Sequence, residues 1–214
     1  MIRSRTVERG AIRSRLVSRV AWLVPFALTI ASALAPTSAD DASTDRSAQA
    51  WAALVQGGHV ALIRHGNAPP GHGGDPPGFR INDCATQRNL DDRGREQARA
   101  LGEAFRSRGV RVDRVESSPW CRCIDTARLM NVGPVETTWA LVPDLNPGST
   151  PRLLQLKDLA SDWRGPGTLV LVAHALTVRP LVGILPEQAE TVVLKPAPGT
   201  SQGVVVVGRI SPPR

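Results

Sequence analysis

Residues 48–214 predict a three-layer αβα domain built around a mostly parallel sheet. Three observations carry this expectation. Short apolar runs of strand length alternate with segments of helical spacing. One of those runs, Leu169–Ala173, is apolar without interruption, as a strand buried on both faces must be. The stretch is also about the size of one ordinary domain, able to bury its own core.

The elements follow in order. Trp51, Leu54 and Val55 give Ala48–Gln56 helical spacing, and Gly57-Gly58 ends it. His59–Arg64 is the first strand. Ala68–Asn89 is rich in Pro and Gly and reads as a long loop, a length that usually carries function. Asp91 or Asp92 caps a helix that runs to about Arg108, where Gly109 stops it. Val112–Ser117 is the second strand, and Pro119 suits the first turn of the helix bearing Arg122. Val135–Thr137 is a short strand, Leu153–Leu159 a helix and Leu169–Ala173 a strand. Leu176–Leu185 is helical, with Pro180 near its start or kinking it. Val192–Leu194 and Val204–Val207 close the sheet.

The front of the chain is set apart from this domain. Arg3, Arg5, Arg9, Arg13, Arg15 and Arg19 stand against a single Glu8, and an uncharged apolar run, Val20–Ala35, follows. Residues 1–39 therefore read as a secretory signal peptide: a basic segment, an apolar segment and small residues for cleavage. Cleavage after Ala39 is preferred to cleavage after Ala35, where Pro36 would come next. A retained anchor is the alternative, but the apolar run is shorter than the roughly 20 residues of a spanning helix. Residues 40–47 are polar and small and are expected to be a flexible mature N-terminus. The mature protein is thus expected to be exported, periplasmic or secreted, with no stable membrane span.

The net charge of +7 comes from 26 basic and 19 acidic side chains. Six arginines and one glutamate precede Asp40, leaving 20 basic and 18 acidic groups, a net of +2. The basic character belongs to the export segment, and aromatic content is only 4%, so no nucleic-acid partner is expected. No protein partner is inferred either.

Three motifs carry the chemistry. Leu62-Ile63-Arg64-His65-Gly66 ends the first strand on a guanidinium and an imidazole. Ser117-Ser118-Pro119 precedes a helix with Arg122 and Thr126-Ala127. The strand Leu169–Ala173 delivers His174. Ligands of such sheets bind beyond the carboxyl ends of the strands, so these groups should meet at one edge. Guanidinium forks match phosphate oxygens, a neutral imidazole can attack phosphorus, and a second can hold an oxygen. Gly66 is expected to turn the backbone and leave room for a ligand.

From about His59 to about Val182 this order of motifs resembles the histidine phosphatase superfamily, the phosphoglycerate-mutase-like enzymes. The resemblance implies that His65 is the nucleophile, forming a phosphohistidine that water hydrolyses. It implies that Arg64 and Arg122 clamp the non-bridging oxygens, that His174 completes the pocket, and that no cofactor or metal takes part. The substrate implied is a small phosphorylated molecule.

Two positions depart from the family pattern. The family usually places Gly after the second His, where this chain has Ala175. The mutase branch carries a Glu shortly beyond a Trp, and in Trp139-Ala140-Leu141-Val142-Pro143-Asp144 that place falls on Pro143. Asp144 is the nearest carboxylate for a general acid and Asp83 the runner-up, with Glu116 expected to face away. Asn67 is a candidate for hydrogen bonding phosphate and Asp83 for touching substrate. His59 is expected to be structural and His72 a solvated loop residue.

Export permits a disulfide. Cys121 and Cys123 flank Arg122 and, two residues apart on a helix, point to nearly opposite sides, so only one can reach Cys84. The leading expectation is an exported phosphomonoesterase. The alternatives are a phosphoglycerate-mutase-like phosphoryl transferase, which export disfavours, and a catalytically weak protein that binds phosphate ligands.

Overall fold

The computed structural model describes residues 39–69, 74–144 and 151–213. Apart from Ala39, the expected signal segment lies outside the described residues, as does His72.

Period-two burial builds the sheet. In β1 (Val60–Arg64), Ala61 and Ile63 enter one apolar cluster while Val60 and Leu62 enter another. In β4 (Thr168–Ala173), Val170 and Val172 join the first, and Leu169, Leu171 and Ala173 the second. A strand with both faces covered must be apolar throughout, which is why the Leu169–Ala173 run has no polar residue.

The helices divide between those two faces. The first cluster takes Ala50, Ala53 and Leu54 from α1 (Ala39–Gln56), Leu101 and Phe105 from α2 (Asp92–Ser107), and Ala127 and Met130 from α3 (Cys121–Met130). The second takes Leu156 and Ala160 from α4 (Pro151–Ser161), and Val178 and Leu181 from α5 (Ala175–Val182). This is the three-layer αβα arrangement expected from the sequence.

With β2 (Val112–Ser117), β3 (Val135–Thr137), β5 (Thr191–Pro196) and β6 (Val204–Ile210), the sheet order is β3-β2-β4-β1-β5-β6. The β3–β2, β2–β4 and β4–β1 pairings are parallel, whereas β5 runs antiparallel to both β1 and β6. In β1–β4 the register sets Arg64 opposite Ala173, and in β2–β4 it sets Ser117 opposite Val172. Three neighbouring carboxyl ends therefore finish at one level.

Several boundaries differ from expectation. Residues 40–47, expected to be loose, are part of α1. Buried Ala50, Ala53 and Leu54 anchor the helix to the core, and no Gly or Pro from 40 to 47 stops its cheap propagation. Gly208 of β6 lets this part of α1 pack closely, since a Cβ there would lie 2.4 Å from the Arg46 carbonyl oxygen. Pro119 stands before α3 rather than in its first turn, because Trp120 is the cap residue. Pro180 lies well inside α5, and the carbonyl it frees belongs to the exposed Leu176. Among the described residues no helix is long and apolar enough to cross a membrane.

Candidate active site

The carboxyl ends of β1, β4 and β2 bring the predicted histidines together. The His65 amide donates to the Ala173 carbonyl at 3.0 Å, and the Ser118 amide to that of Val172 at 2.9 Å. The His65 and His174 rings meet edge to face, 5.4 Å apart. Arg122 enters from the first turn of α3, with Nη2 3.4 Å from His174 Nδ1. Thr126 ties that helix to the strand end: its hydroxyl accepts from the Gly66 amide at 3.0 Å and donates to the Arg122 carbonyl at 2.7 Å. Gly66 is needed for packing rather than for ligand space, because a Cβ there would lie 2.5 Å from the Gly94 carbonyl oxygen on α2.

Hydrogen bonding settles both ring tautomers. His65 Nδ1 lies 2.8 Å from the Gly66 carbonyl oxygen, which can only accept, so the proton sits on Nδ1 and the lone pair on Nε2. Arg122 can only donate, so His174 Nδ1 accepts and Nε2–H donates to Ser118 Oγ at 2.9 Å. Burial, followed by the nearby Arg122, Arg64 and Arg88 cations, pushes His65 down to about 3, against the pull of its bond to Gly66. Burial, His65 and the same arginines hold His174 well below the ordinary imidazole range. Both rings are neutral near pH 7.

His65, His174, Arg64, Arg122 and Asp144 all line one cavity of about 610 Å³. Two other predicted residues do not. Asn67, proposed to hold phosphate, instead donates from Nδ2 to Asp91 Oδ2 at 2.6 Å, and its amide donates to Gln97 at 2.9 Å. It braces the start of α2. Asp83, proposed to touch substrate, caps the 3₁₀ turn Cys84–Thr86 by accepting from the Ala85 amide at 3.1 Å, and it pairs with Arg80. Local backbone donors and a neighbouring cation absorb both side chains. Glu116 pairs with Arg114 and is not part of the cavity wall. His59 is satisfied by the Gly57 carbonyl at 2.6 Å. Ala175 begins α5 with its Cβ on the cavity wall.

Three charged residues that sequence reasoning missed also line the cavity. Arg88, near the end of the long loop, adds a third guanidinium, and Arg152, 5.9 Å from the Trp139 ring centroid, a fourth. Asp75 accepts from Arg122 Nη1 at 2.8 Å, from the Trp120 indole at 2.8 Å and from the Arg88 amide at 2.9 Å. The Asp75–Arg122 pair is buried, with each side chain 6% exposed. Burial would raise the Asp75 carboxyl, but the Arg88 amide, Arg122 and Trp120 outweigh it and hold it below the usual carboxylate range. Burial also lowers Arg64 and Arg88, yet a guanidinium stays charged in proteins. The Nε–H donors of Arg64, Arg88 and Arg122 are buried without a partner. An orphaned donor on a charged group is costly unless a ligand supplies the acceptor.

Cys84 and Cys121 form a disulfide, and Cys123 is a buried free thiol. Its sulfur lies 3.5 Å from His174 Nε2, and burial pushes the thiol up to about 12, so it stays protonated. Gln87, three residues beyond Cys84, accepts from the Cys121 amide at 3.0 Å and donates to the carbonyls of Arg80 and Ile81. The loop after His65 is thus fastened to the helix bearing Arg122 by a covalent bond, a hydrogen bond and the Asp75 ion pair.

Comparison with known proteins bears on the family and the fold. Residues 60–146 match the model of the histidine phosphatase superfamily (branch 1). The fold resembles that of the protein histidine phosphatase SixA, solved with tungstate, at 17% identity and a TM-score of 0.52, covering 72% of this chain and 96% of that one. It also resembles a phosphoserine phosphatase from Entamoeba histolytica, solved with 3-phosphoglyceric acid, at 17% identity and a TM-score of 0.51, with the same coverage of 72% and 96%. No curated protein matches the chain. The motif resemblance read from the sequence is therefore matched by a family model and by the fold.

Proposed function

We propose that this chain is an exported phosphomonoesterase of the histidine phosphatase superfamily, working through a phosphohistidine on His65. The observation that carries the reading is that the guanidiniums of Arg64, Arg88 and Arg122 line one cavity together with two neutral imidazoles. A phosphate group supplies several acceptor oxygens and negative charge. The family match and the phosphatase neighbours support the same class of reaction.

The reaction follows from the tautomers. Nε2 of His65 attacks phosphorus as the bond to the alcohol oxygen breaks. The Nδ1–H bond to the Gly66 carbonyl steadies the ring while positive charge grows on it. Arg64, Arg88 and Arg122 take up the charge on the non-bridging oxygens, where oriented donors in a dry site act most strongly. His174 holds Arg122 in place and closes the floor. Asp144 gives its proton to the departing alkoxide. Water then attacks the phosphohistidine, the N–P bond breaks, inorganic phosphate forms, and the Asp144 carboxylate takes the water proton. Export rests on the arginine-rich, apolar front of the sequence.

The purified mature protein is expected to release phosphate from an aryl phosphate in the presence of chelator and to carry acid-labile phosphate on His65 in quenched reactions. His65→Ala should abolish both signals, and Arg122→Ala should slow turnover on the order of 10²- to 10³-fold, as removal of an oriented charge stabiliser does. Turnover in His65→Ala, or activity restored only by a divalent ion, would refute the reading.

A further inference from the structure

We propose that the cavity accepts phosphate monoesters whose alcohol half is a ring with an apolar face, seated against a wall of Trp120, Phe79 and Trp139. This rests on the phosphatase reading and adds the class of leaving group.

The cavity, at about 610 Å³, falls in the size range of sites that enclose a whole organic ligand, far more than phosphate alone fills. The polar groups account for one part of it. The rest is mostly apolar, and its three aromatic rings start at the reacting centre. The Trp120 ring stands edge-on to His174 at 5.6 Å. It contacts Phe79 at 5.8 Å and Trp139 at 6.3 Å. A row of rings therefore leads from the second histidine towards the surface.

The chain has few aromatic residues to spend. Among the described residues they are Trp51, Phe79, Phe105, Trp120, Trp139 and Trp163. Trp51 and Phe105 pack on each other in the core, and Trp163 packs against the opposite apolar cluster. The other three line this cavity. Trp139 is 53% exposed and Phe79 37%, and the cavity-lining Leu176 is 48% exposed. Clustered apolar exposure of this kind marks a binding surface. A short alcohol such as that of phosphoserine would leave the wall wet. A ring stacked on it removes that surface from water.

The first ring of the wall is also fixed in advance. Asp75 accepts from the Trp120 indole while pairing with Arg122, so one carboxylate sets the angle of the first ring and of a phosphate-facing guanidinium together. Preorganisation of this sort spares a ligand the cost of ordering its own site. Pyranoses and arenes share the recognised chemistry, a ring with an apolar face.

Two measurements test this. In the first, kcat/KM is compared for benzyl phosphate, glucose 6-phosphate and ethyl phosphate, whose leaving alcohols are of similar acidity. At least one ring ester should exceed ethyl phosphate about tenfold or more, equivalent to about 1.4 kcal/mol. Trp139→Ala and Phe79→Ala should shrink that ratio, and the better of the two ring esters identifies arene or sugar. Equal kcat/KM for all three esters, or a ratio preserved in both variants, would overturn the proposal. In the second, calorimetry compares the non-hydrolysable benzylphosphonate with methylphosphonate on the wild-type protein. If no ester is hydrolysed, the phosphatase reading falls, yet tenfold tighter benzylphosphonate binding still upholds the ring wall. Equal binding of the two phosphonates, with no ring ester preferred over ethyl phosphate, removes it.

Discussion

Two carboxylates, Asp75 and Asp144, share the cavity, and the proposed reaction gives them different work. Asp75 is locked by three donors, one of them the Arg122 guanidinium. A carboxylate so held is anionic and serves to aim its partners. Asp144 lines the same cavity beside Pro143 and is the proposed acid. Replacing each by Asn should therefore give different leaving-group patterns. Asp144→Asn should slow alkyl phosphates strongly and activated aryl phosphates little, since good leaving groups need little protonation. Asp75→Asn should slow both classes alike, about 10- to 100-fold, because Arg122 loses its orientation. Rate measurements over a series of esters decide this, and matching patterns for the two variants would remove the division of labour. At this scale Arg64, His65, Arg122 and His174 were legible because each follows a strand or opens a helix in a fixed motif. Asp75 and Arg88 were not, because an irregular loop has no period from which to read direction. Asn67 and Asp83 misled because sequence spacing does not show which backbone donors will claim a short polar side chain first.

Among the elements, the segment between β1 and α2 has the most to lose. Within its described part, regular structure is limited to the single 3₁₀ turn Cys84–Thr86. The Cys84–Cys121 bond spans 37 positions, and closing a loop of that length adds roughly 3 to 4 kcal/mol in the chain-entropy account. Its effect on function should exceed its effect on folding, since Phe79 and Asp75 both lie on the tethered segment. Cys84→Ser is expected to raise KM for ring-bearing substrates more than it lowers kcat for a small aryl phosphate, by steady-state kinetics on both. Equal losses in the two parameters would show that the bond supports only stability. The sequence left Cys121 and Cys123 as alternative partners, because helix spacing separates their directions without saying which faces the loop. Packing decides it: Cys123 turns into the core against the Ala173 carbonyl and His174. Helix interiors and strands were readable from their apolar periods. Their ends were less so, since α1 runs on to Ala39 through residues whose composition suits either helix or loose chain.

For the whole molecule, the cost of keeping two neutral imidazoles in a buried cationic site appears as acid sensitivity. His65 titrates at about 3 when folded and near 6.5 when unfolded, and His174 is also lowered. Between those values the unfolded chain binds protons that the folded chain refuses. Stability is therefore full above about pH 6.5 and falls as pH drops through the window, by up to about 1.4 kcal/mol per unit for each histidine. Urea midpoints measured from pH 7 to pH 4 should fall steadily, and less steeply in His65→Asn. A flat wild-type profile, or parallel profiles for the two proteins, would contradict the burial argument. The three layers were legible in the alternation of segments. The strand order, with β4 inserted between β2 and β1 and two antiparallel strands closing the far side, was not, because it depends on pairings between distant residues.

The seam between the strand-end loop and α2 has a consequence for how this chain can vary. Gly66 faces the Gly94 backbone, and a Cβ on Gly94 would in turn come within 2.0 Å of the Asn67 carbonyl oxygen. Main chain rests on main chain there, with no side chain between to shrink in compensation. A substitution at either glycine cannot be rescued by a second change nearby; it must push α2 away from the loop and carry His65 with it. Side chains of the aromatic wall can be exchanged without meeting main chain; those two glycines cannot.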